Sequence, residues 1–502
     1  MVAEVFAVAH GYAVSILGLA ESSKTQGEVH EKEVLLLSVM NGDSGGGSAQ
    51  ASIEALIGSL PPDSKLPSYR ELQLRYRLSP ATVQRILADL ARRELLVTRP
   101  GSGTFTAPRR APRPAADLSW QTLALGSRAG LGPDLDRLVD SLPPDAIGLA
   151  SGFPDDRLQP LGLLAAAASR ASRRPQAWNR LPAQGLPELR SYLADEAGGG
   201  LTAANVLISS GGQSSLSAVF RHLCAPGDPL IVESPTYVGA LAAARAAGLE
   251  LVPVPGDADG VLPDALADAF TRTGARLAYL QPRYANPSGS LLALDRREPV
   301  LAAVASAGAF LLEDDWMRDF DLGAPSPPPL IGQDDDGHVI YLRSVSKPIA
   351  AGLRVSGIAA RGPVLARLRR GRISDDLFVA PVLQRIAVDV LTAPGWPRHL
   401  GTVRRHLRDR RDALVAAVRE QLPSCRLDLI PAGGVHLWLR LPEHCSDGDV
   451  TEAAAARGLA VYPGRGCFPG EAPGPYLRLS FAGEEAPALR RAAQILAEVV
   501  GG

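Results

Sequence analysis

Apolar positions along this chain follow two different rhythms. Between Ala49 and Leu60 they recur at Ile53, Leu56, Ile57 and Leu60, the one-sided spacing of an amphipathic helix. Pro61-Pro62-Asp63-Ser64 ends that segment. Ser68 with Glu71 three residues on forms a capping box and predicts a second helix to about Tyr76. Ser79 predicts the cap of a third, with Pro80 at its first position and Val83, Ile86, Leu87 and Leu90 along one face to about Arg93. Two short capped helices across a tight turn are a helix-turn-helix. Leu95 to Thr98 and Thr104 to Thr106, joined by Arg99-Pro100-Gly101-Ser102-Gly103, read as a β-hairpin wing.

From about residue 165 the rhythm changes. Short apolar runs at Asn205 to Ile208, Pro229 to Val232, Leu251 to Val254, Leu277 to Leu280, Phe310 to Leu312 and Val339 to Leu342 alternate with helical segments. Such alternation predicts an α/β fold with a mostly parallel sheet. Ligand groups then belong in the loops after the strand ends. Residues from about 386 read as a smaller α+β subdomain, leaving about 165–385 as the large one.

The N-terminal 39 residues fit neither rhythm. Val2 to Ala20 is apolar but interrupted by Glu4 and His10, and it has no basic flank, so a secretory signal is a poor reading. Met40 precedes the flexible run Asn41-Gly42-Asp43-Ser44-Gly45-Gly46-Gly47-Ser48. The expected organisation is an extension over 1–47, with the natural start near Met40, and a winged helix over 48–107. A Pro/Arg-rich linker over 108–125 and a ligand-binding unit over 126–502 complete it.

Composition sharpens this picture in three places. The chain's 502 residues carry a net charge of −1, which excludes bulk attraction to nucleic acid or membrane. The stretch from Lys65 to Arg113, however, holds eleven Lys/Arg against Glu71, Asp89 and Glu94, about +8, and points to double-stranded DNA. Cys224, Cys425, Cys445 and Cys467 are scattered without metal-ligand spacing, as expected of thiols in a reducing cytoplasm. After position 40 no charge-free apolar run is long enough to span a membrane.

The candidate chemistry centres on Ser344-Val345-Ser346-Lys347, with Gly352-Leu353-Arg354 following. A partly desolvated lysine loses its proton easily and condenses with an aldehyde. Ser344, Ser346 and Arg354 offer two hydroxyls and a guanidinium fork to a phosphate. Amine and phosphate donors together describe a site for pyridoxal 5'-phosphate (PLP); a surface lysine in a Ser-rich turn is the alternative. After the strand at Asn205 to Ile208, Gly211-Gly212-Gln213 opens a helix whose N-terminus also suits a phosphate.

The pattern Ser-x-Ser-Lys-x-x-x-x-Gly-Leu-Arg resembles the lysine motif of fold-type I, class I aminotransferases. The N-terminal region resembles a GntR-family winged helix, and the combination, over about 48–502, resembles the MocR-type subfamily of GntR regulators. The resemblance implies a PLP-dependent transferase fold of type I with Lys347 as attachment point and possible proton carrier. It further implies that Gly212 and Gln213 contact the phosphate, Tyr237 stacks on the pyridine ring, and Asn286 donates to the phenolate oxygen. Asp314 would pair with the pyridinium nitrogen, and Arg478 would grip an effector's α-carboxylate. The chain departs from the pattern at Trp316-Met317, where relatives carry a tyrosine that donates to the phenolate. It departs again at Arg180, where relatives carry a tyrosine that reaches the partner subunit's phosphate; an arginine does the same with more charge, so a homodimer is expected.

In a helix-turn-helix the first turn of the second helix meets base edges, which points to Ser79, Ala81, Thr82, Gln84 and Arg85. Arg70 and the backbone of Gly101 to Gly103 would sit on phosphate. Pro80 and Gln84 stand where the family usually has arginines, so the operator is not inherited from relatives. The reading is a PLP-dependent transcriptional regulator that senses an amine, an amino acid or PLP itself. The alternative is a working aminotransferase with a DNA-binding appendage.

Overall fold

A computed structural model describes residues 46–108, 117–125, 135, 137, 142–143 and 145–501. The expected extension therefore lies outside the described residues except for Gly46 and Gly47, as do the linker residues Arg109, Arg110 and Arg113. The chain divides into two units, Met1–Gly126 and Ser127–Gly502.

In the first unit, α1 (Gly46–Ser59), α2 (Tyr69–Tyr76) and α3 (Pro80–Arg92) precede the antiparallel strands β1 (Leu96–Arg99) and β2 (Gly103–Thr106). The capping box forms as the spacing requires: Glu71 N donates to Ser68 Oγ at 3.4 Å and Ser68 N donates to Glu71 Oε2 at 2.6 Å. Arg77 in the left-handed region stops α2. Val83, Ile86, Leu87 and Leu90 of α3 pack with Ile53, Ile57, Leu66 and Leu72 into one small core, closed by Leu96 of the wing. The wing turn is two residues shorter than its sequence suggests, because Arg99 pairs directly with Gly103. Gly101 and Gly103 both take positive φ there, a conformation side-chain-bearing residues avoid. A short helix, α4 (Ser119–Leu125), follows the wing in the chain.

The second unit is built on an eight-stranded sheet. Its strands are β4 (Val206–Ser209), β5 (Pro229–Ser234), β6 (Glu250–Asp257), β7 (Gly260–Val261), β8 (Leu277–Leu280), β9 (Phe310–Asp314), β10 (Val339–Ser344) and β11 (Ser356–Ala359). The spatial order is β4-β11-β10-β9-β8-β5-β6-β7. The run from β10 to β6 is parallel, and β11 lies antiparallel between β4 and β10. The central strands are buried on both faces, as apolar runs without alternation require. One face carries α5 (Leu161–Ser172), α6 (Pro187–Ala197), α9 (Pro263–Thr273), α10 (Leu294–Ser306) and α12 (Pro381–Leu391). The other carries α7 (Gly212–Leu223), α8 (Val238–Ala246) and α11 (Pro363–Asp376).

A second core gathers β12 (Arg426–Leu427), β13 (His436–Arg440), β15 (Tyr462–Pro463) and β16 (Tyr476–Ser480), with α14 (Asp447–Ala455) and α15 (Ala486–Val500). The 26-residue helix α13 (Trp396–Gln421) serves both cores: Trp396 and Leu400 belong to the large one, Val403, Leu407 and Leu414 to the small one. The division between subdomains thus falls inside α13. The small one also claims an upstream strand, β3 (Ile147–Gly148), which pairs in parallel with β14 (Leu459–Ala460).

Candidate functional site

The parallel strands β5, β8, β9 and β10 deliver side chains at or just beyond their carboxyl ends, and these converge on one cavity of about 590 Å³. Gly212, Gln213, Tyr237, Asn286, Asp314, Ser344, Ser346, Lys347, Arg354 and Arg478 all line it. Arg180 does not; it is exposed and lies outside the cavity of its own chain.

Lys347 follows β10 and is half-buried. Its Nζ donates to Gly152 O at 2.9 Å and sits 3.5 Å from the centroid of the Phe153 ring. Burial, reinforced by the positive charges of Arg478 and Arg354, lowers its pKa to about 7. The amine is therefore substantially neutral near pH 7, as a nucleophile requires. Asp314 closes β9, and one of its oxygens accepts from Tyr279 Oη at 2.9 Å and Gln281 Nε2 at 2.8 Å. Burial raises its pKa to about 6 against those two hydrogen bonds. A cation placed against this carboxylate would reverse that shift.

At the opposite end of the cavity, Ser344, Ser346 and Arg354 meet the start of α7. Gly211 makes this possible: a Cβ there would lie 2.6 Å from an Arg354 guanidinium nitrogen. The side-chain amide of Gln213 is occupied, accepting from Tyr237 Oη at 3.1 Å and donating to Gly239 O at 2.7 Å. An anion at this helix end would meet first-turn backbone N–H groups, including that of Gln213. Arg354 forms no ion pair among the described residues.

Arg478 is 1% exposed, so its charge needs compensation. It donates to Asn286 Oδ1 at 3.1 Å and Ala150 O at 2.6 Å, its Nε has no partner, and the Tyr462 ring lies 4.5 Å away. No carboxylate pairs with it among the described residues. Because Asn286 turns its oxygen to Arg478, its amide NH₂ remains as a donor. Trp316 supplies no donor in place of the missing tyrosine: its indole N–H is bound to Tyr284 O at 3.1 Å.

Tyr279, Gln281 and His436 were not legible as site residues. The Gly152 carbonyl, on the segment Ile147 to Phe153 that resembles a substrate-site strand of aminotransferases, orients Lys347, and Tyr279 with Gln281 orients Asp314. His436 forms part of the wall. The strand-end position of Gln281 was a signal; a lone histidine in an apolar strand was none.

In the winged helix, Gln84, Arg85 and Arg70 are exposed, and Arg70 and Arg85 make no ion pair among the described residues. Arg92, Arg93 and Arg99 are instead paired with Asp89, Glu54 and Asp63. Ser79 Oγ accepts from Thr82 N at 3.2 Å and lies 2.8 Å from Thr82 Oγ1, so both hydroxyls serve the start of α3.

Residues 144–496 match the family of class I and II aminotransferases, and residues 48–106 match the gntR family of bacterial regulatory proteins. The chain belongs to the class I and II aminotransferases and carries a GntR-type winged helix, the architecture of MocR-type regulators. It is 26% identical over 445 residues to the HTH-type transcriptional regulator YdfD of Bacillus subtilis, covering 85% of this chain and 89% of that one. It is 32% identical over 344 residues to 2-aminoadipate transaminase of Thermus thermophilus, covering 68% and 86%. The crystal structure of the α-aminoadipate aminotransferase LysN from T. thermophilus, complexed with N-(5'-phosphopyridoxyl)-L-leucine, superposes with a TM-score of 0.68 at 30% identity, covering 74% of this chain and 97% of that one. No helix among the described residues is long and apolar enough to cross a membrane.

The lowered pKa of Lys347 has a measurable consequence. PLP added to cofactor-free protein should bind covalently about tenfold faster per pH unit up to about pH 7, then level off. Stopped-flow absorbance between pH 5.5 and 9 reads this. A rise that continues undiminished to pH 9 would mean that the lysine titrates as a solvated amine.

Proposed function

We propose that this protein is a PLP-dependent, DNA-binding transcriptional regulator whose aminotransferase-like unit senses an amine or amino acid, acting as a cytoplasmic homodimer. One observation carries the reading: a half-buried lysine of lowered pKa, a buried carboxylate and a phosphate-type donor set share one cavity in a chain that also carries a winged helix. Bound PLP supplies an aldehyde for the lysine and an electron-withdrawing ring. Lys347 would hold the aldehyde carbon. Asp314, fixed by Tyr279 and Gln281, would hold the ring nitrogen protonated. Asn286 would donate to the phenolate oxygen, and Tyr237 would cover the ring. Ser344, Ser346, Arg354 and the backbone of Gly212 and Gln213 would bind the phosphate. Arg478, with its idle Nε, would take a ligand carboxylate. Arg180 would act on the other subunit's phosphate, which agrees with its exposure.

The test is operator binding by the full-length protein on the DNA upstream of its own gene, with and without PLP and each amino acid. A change in affinity on adding one amino acid to the PLP-loaded protein is the expected result. A second reading, catalytic transamination, draws support from the 2-aminoadipate transaminase relative and from the position of Lys347, which can carry a proton. Rapid multiple turnover with an amino acid and a keto acid, without operator binding, would establish that reading instead.

The DNA contacts can be separated by salt. Arg70→Ala should weaken binding to operator and random DNA alike and reduce the salt slope by about 1. Gln84→Ala or Arg85→Ala should cost about 1–3 kcal/mol on the operator and alter sequence preference. Equal losses on both DNAs for all three variants would place the recognition surface elsewhere.

A further inference from the structure

The imidazole of His436 is 3% exposed and lines the cavity, and neither ring nitrogen has a hydrogen-bond partner. Buried polar groups in native proteins are overwhelmingly paired, so two idle nitrogens on one ring need a reason. The ring is not loose. It stacks on Trp316 with centroids 5.4 Å apart, and that indole is itself tied to Tyr284 O. It also projects from β13 on the face that carries Trp438 and Arg478, while Leu437, Leu439, Leu477 and Leu479 enter the small-subdomain core. A Cβ added at Gly152 would lie 3.0 Å from His436 Nε2 and 3.4 Å from Lys347 Nζ. The imidazole nitrogen and the lysine amine therefore border the same small space, which the absence of a side chain at Gly152 keeps open.

The charges around that space limit what fills it. Lys347, Arg354 and Arg478 are the cations lining the cavity, and Asp314 is its one carboxylate among the described residues. Burial and the charges of Arg478 and Lys347 hold His436 well below its usual pKa, so the imidazole is neutral and offers one donor and one acceptor. With PLP in place, Arg354 would be matched by the phosphate and Asp314 by the ring nitrogen. Arg478 would take a ligand's α-carboxylate. A second carboxylate would lie in the buried space beside a neutral His436, with only the released amine of Lys347, about half protonated near pH 7, to balance it.

We propose that His436 selects the ligand: the sensed molecule is a monocarboxylic amino acid whose side chain carries a neutral hydrogen-bonding group, a hydroxyl or an amide, placed against the imidazole. The proposal rests on the PLP-site reading above. It differs from what the relatives would suggest, since 2-aminoadipate carries two carboxylates.

The test uses full-length, PLP-loaded protein and follows the visible absorption during titration with isosteric pairs: L-threonine against L-valine, and L-asparagine against L-leucine and L-aspartate. At least one polar neutral ligand should bind about fivefold tighter than its apolar isostere, and tighter than aspartate. His436→Phe should bring that ratio close to one, and His436→Gln, which keeps a donor and an acceptor, should restore part of it. Retention of the PLP absorption shows that each variant is folded. No polar preference in the wild type, binding of no amino acid, tightest binding of aspartate, or a ratio unchanged in His436→Phe would each overturn the proposal. Failure of the wild type to take up PLP would instead defeat the cofactor reading, and this inference with it.

Discussion

Replacing Lys347 by alanine should abolish the visible absorption of lysine-linked PLP and the fixation of PLP by borohydride. Lys347 is the one lysine downstream of Lys65, so the aminotransferase-like unit holds no second amine to take over. Borohydride reduction followed by peptide mapping gives a clear reading, because label on any other lysine would move the attachment point out of the cavity. Asp314→Ala is the companion variant. Its loss would remove the proposed counter-charge of a protonated ring nitrogen and would leave Tyr279 Oη and Gln281 Nε2 without their acceptor. Weaker cofactor binding and an altered spectrum are expected, with Asp314→Asn recovering geometry but not charge.

The second large effect belongs to Arg478→Ala. An effector amine that displaced Lys347 would free the lysine and would bring a carboxylate to an arginine held on β16. A sensor needs a ligand that interacts differently with two conformations, and movement of the small subdomain against the large one is the candidate. Removing one partner of a buried, hydrogen-bonded charge pair costs about 2–5 kcal/mol. The amino acid concentration needed to shift operator affinity should therefore rise at least tens of times. Fluorescence anisotropy on labelled operator, titrated with the amino acid, measures it. An unchanged response would make Arg478 a structural residue bound to Ala150 O and Asn286, or the ligand one without a carboxylate.

What the sequence made legible followed from local rules. Ser68 with Glu71 and Ser79 with Pro80 fix helix starts through bonds spanning three residues, and both helices begin where those caps place them. Gly212, Tyr237, Asn286, Asp314 and Ser344 were legible because each comes shortly after an apolar run, and in a parallel sheet such positions converge; Arg478, inside β16, was reached only through the resemblance. β11 was not. Ser356 to Ala359 is four residues of small and mixed character, continuous with the lysine motif, and its identity as a strand comes from β4 and β10 on either side. The sharing of α13 was hidden for a related reason: one amphipathic helix has one periodicity, whichever core each turn enters. The hydrogen bond from Lys347 to Gly152 O joins residues 195 apart, which no local pattern reports.

The pairing of β3 with β14 has a consequence in time. Ile147 meets Leu459 and Gly148 meets Ala460, more than three hundred residues later in the chain. A ribosome releases the chain N-terminus first. The winged helix has all its core residues once Thr106 has emerged, and nothing in that core waits for a later segment. The small subdomain must keep β3 unpaired through the synthesis of the entire large sheet. Each newly made copy would thus own its DNA-reading part well before it owns a finished ligand-reading part.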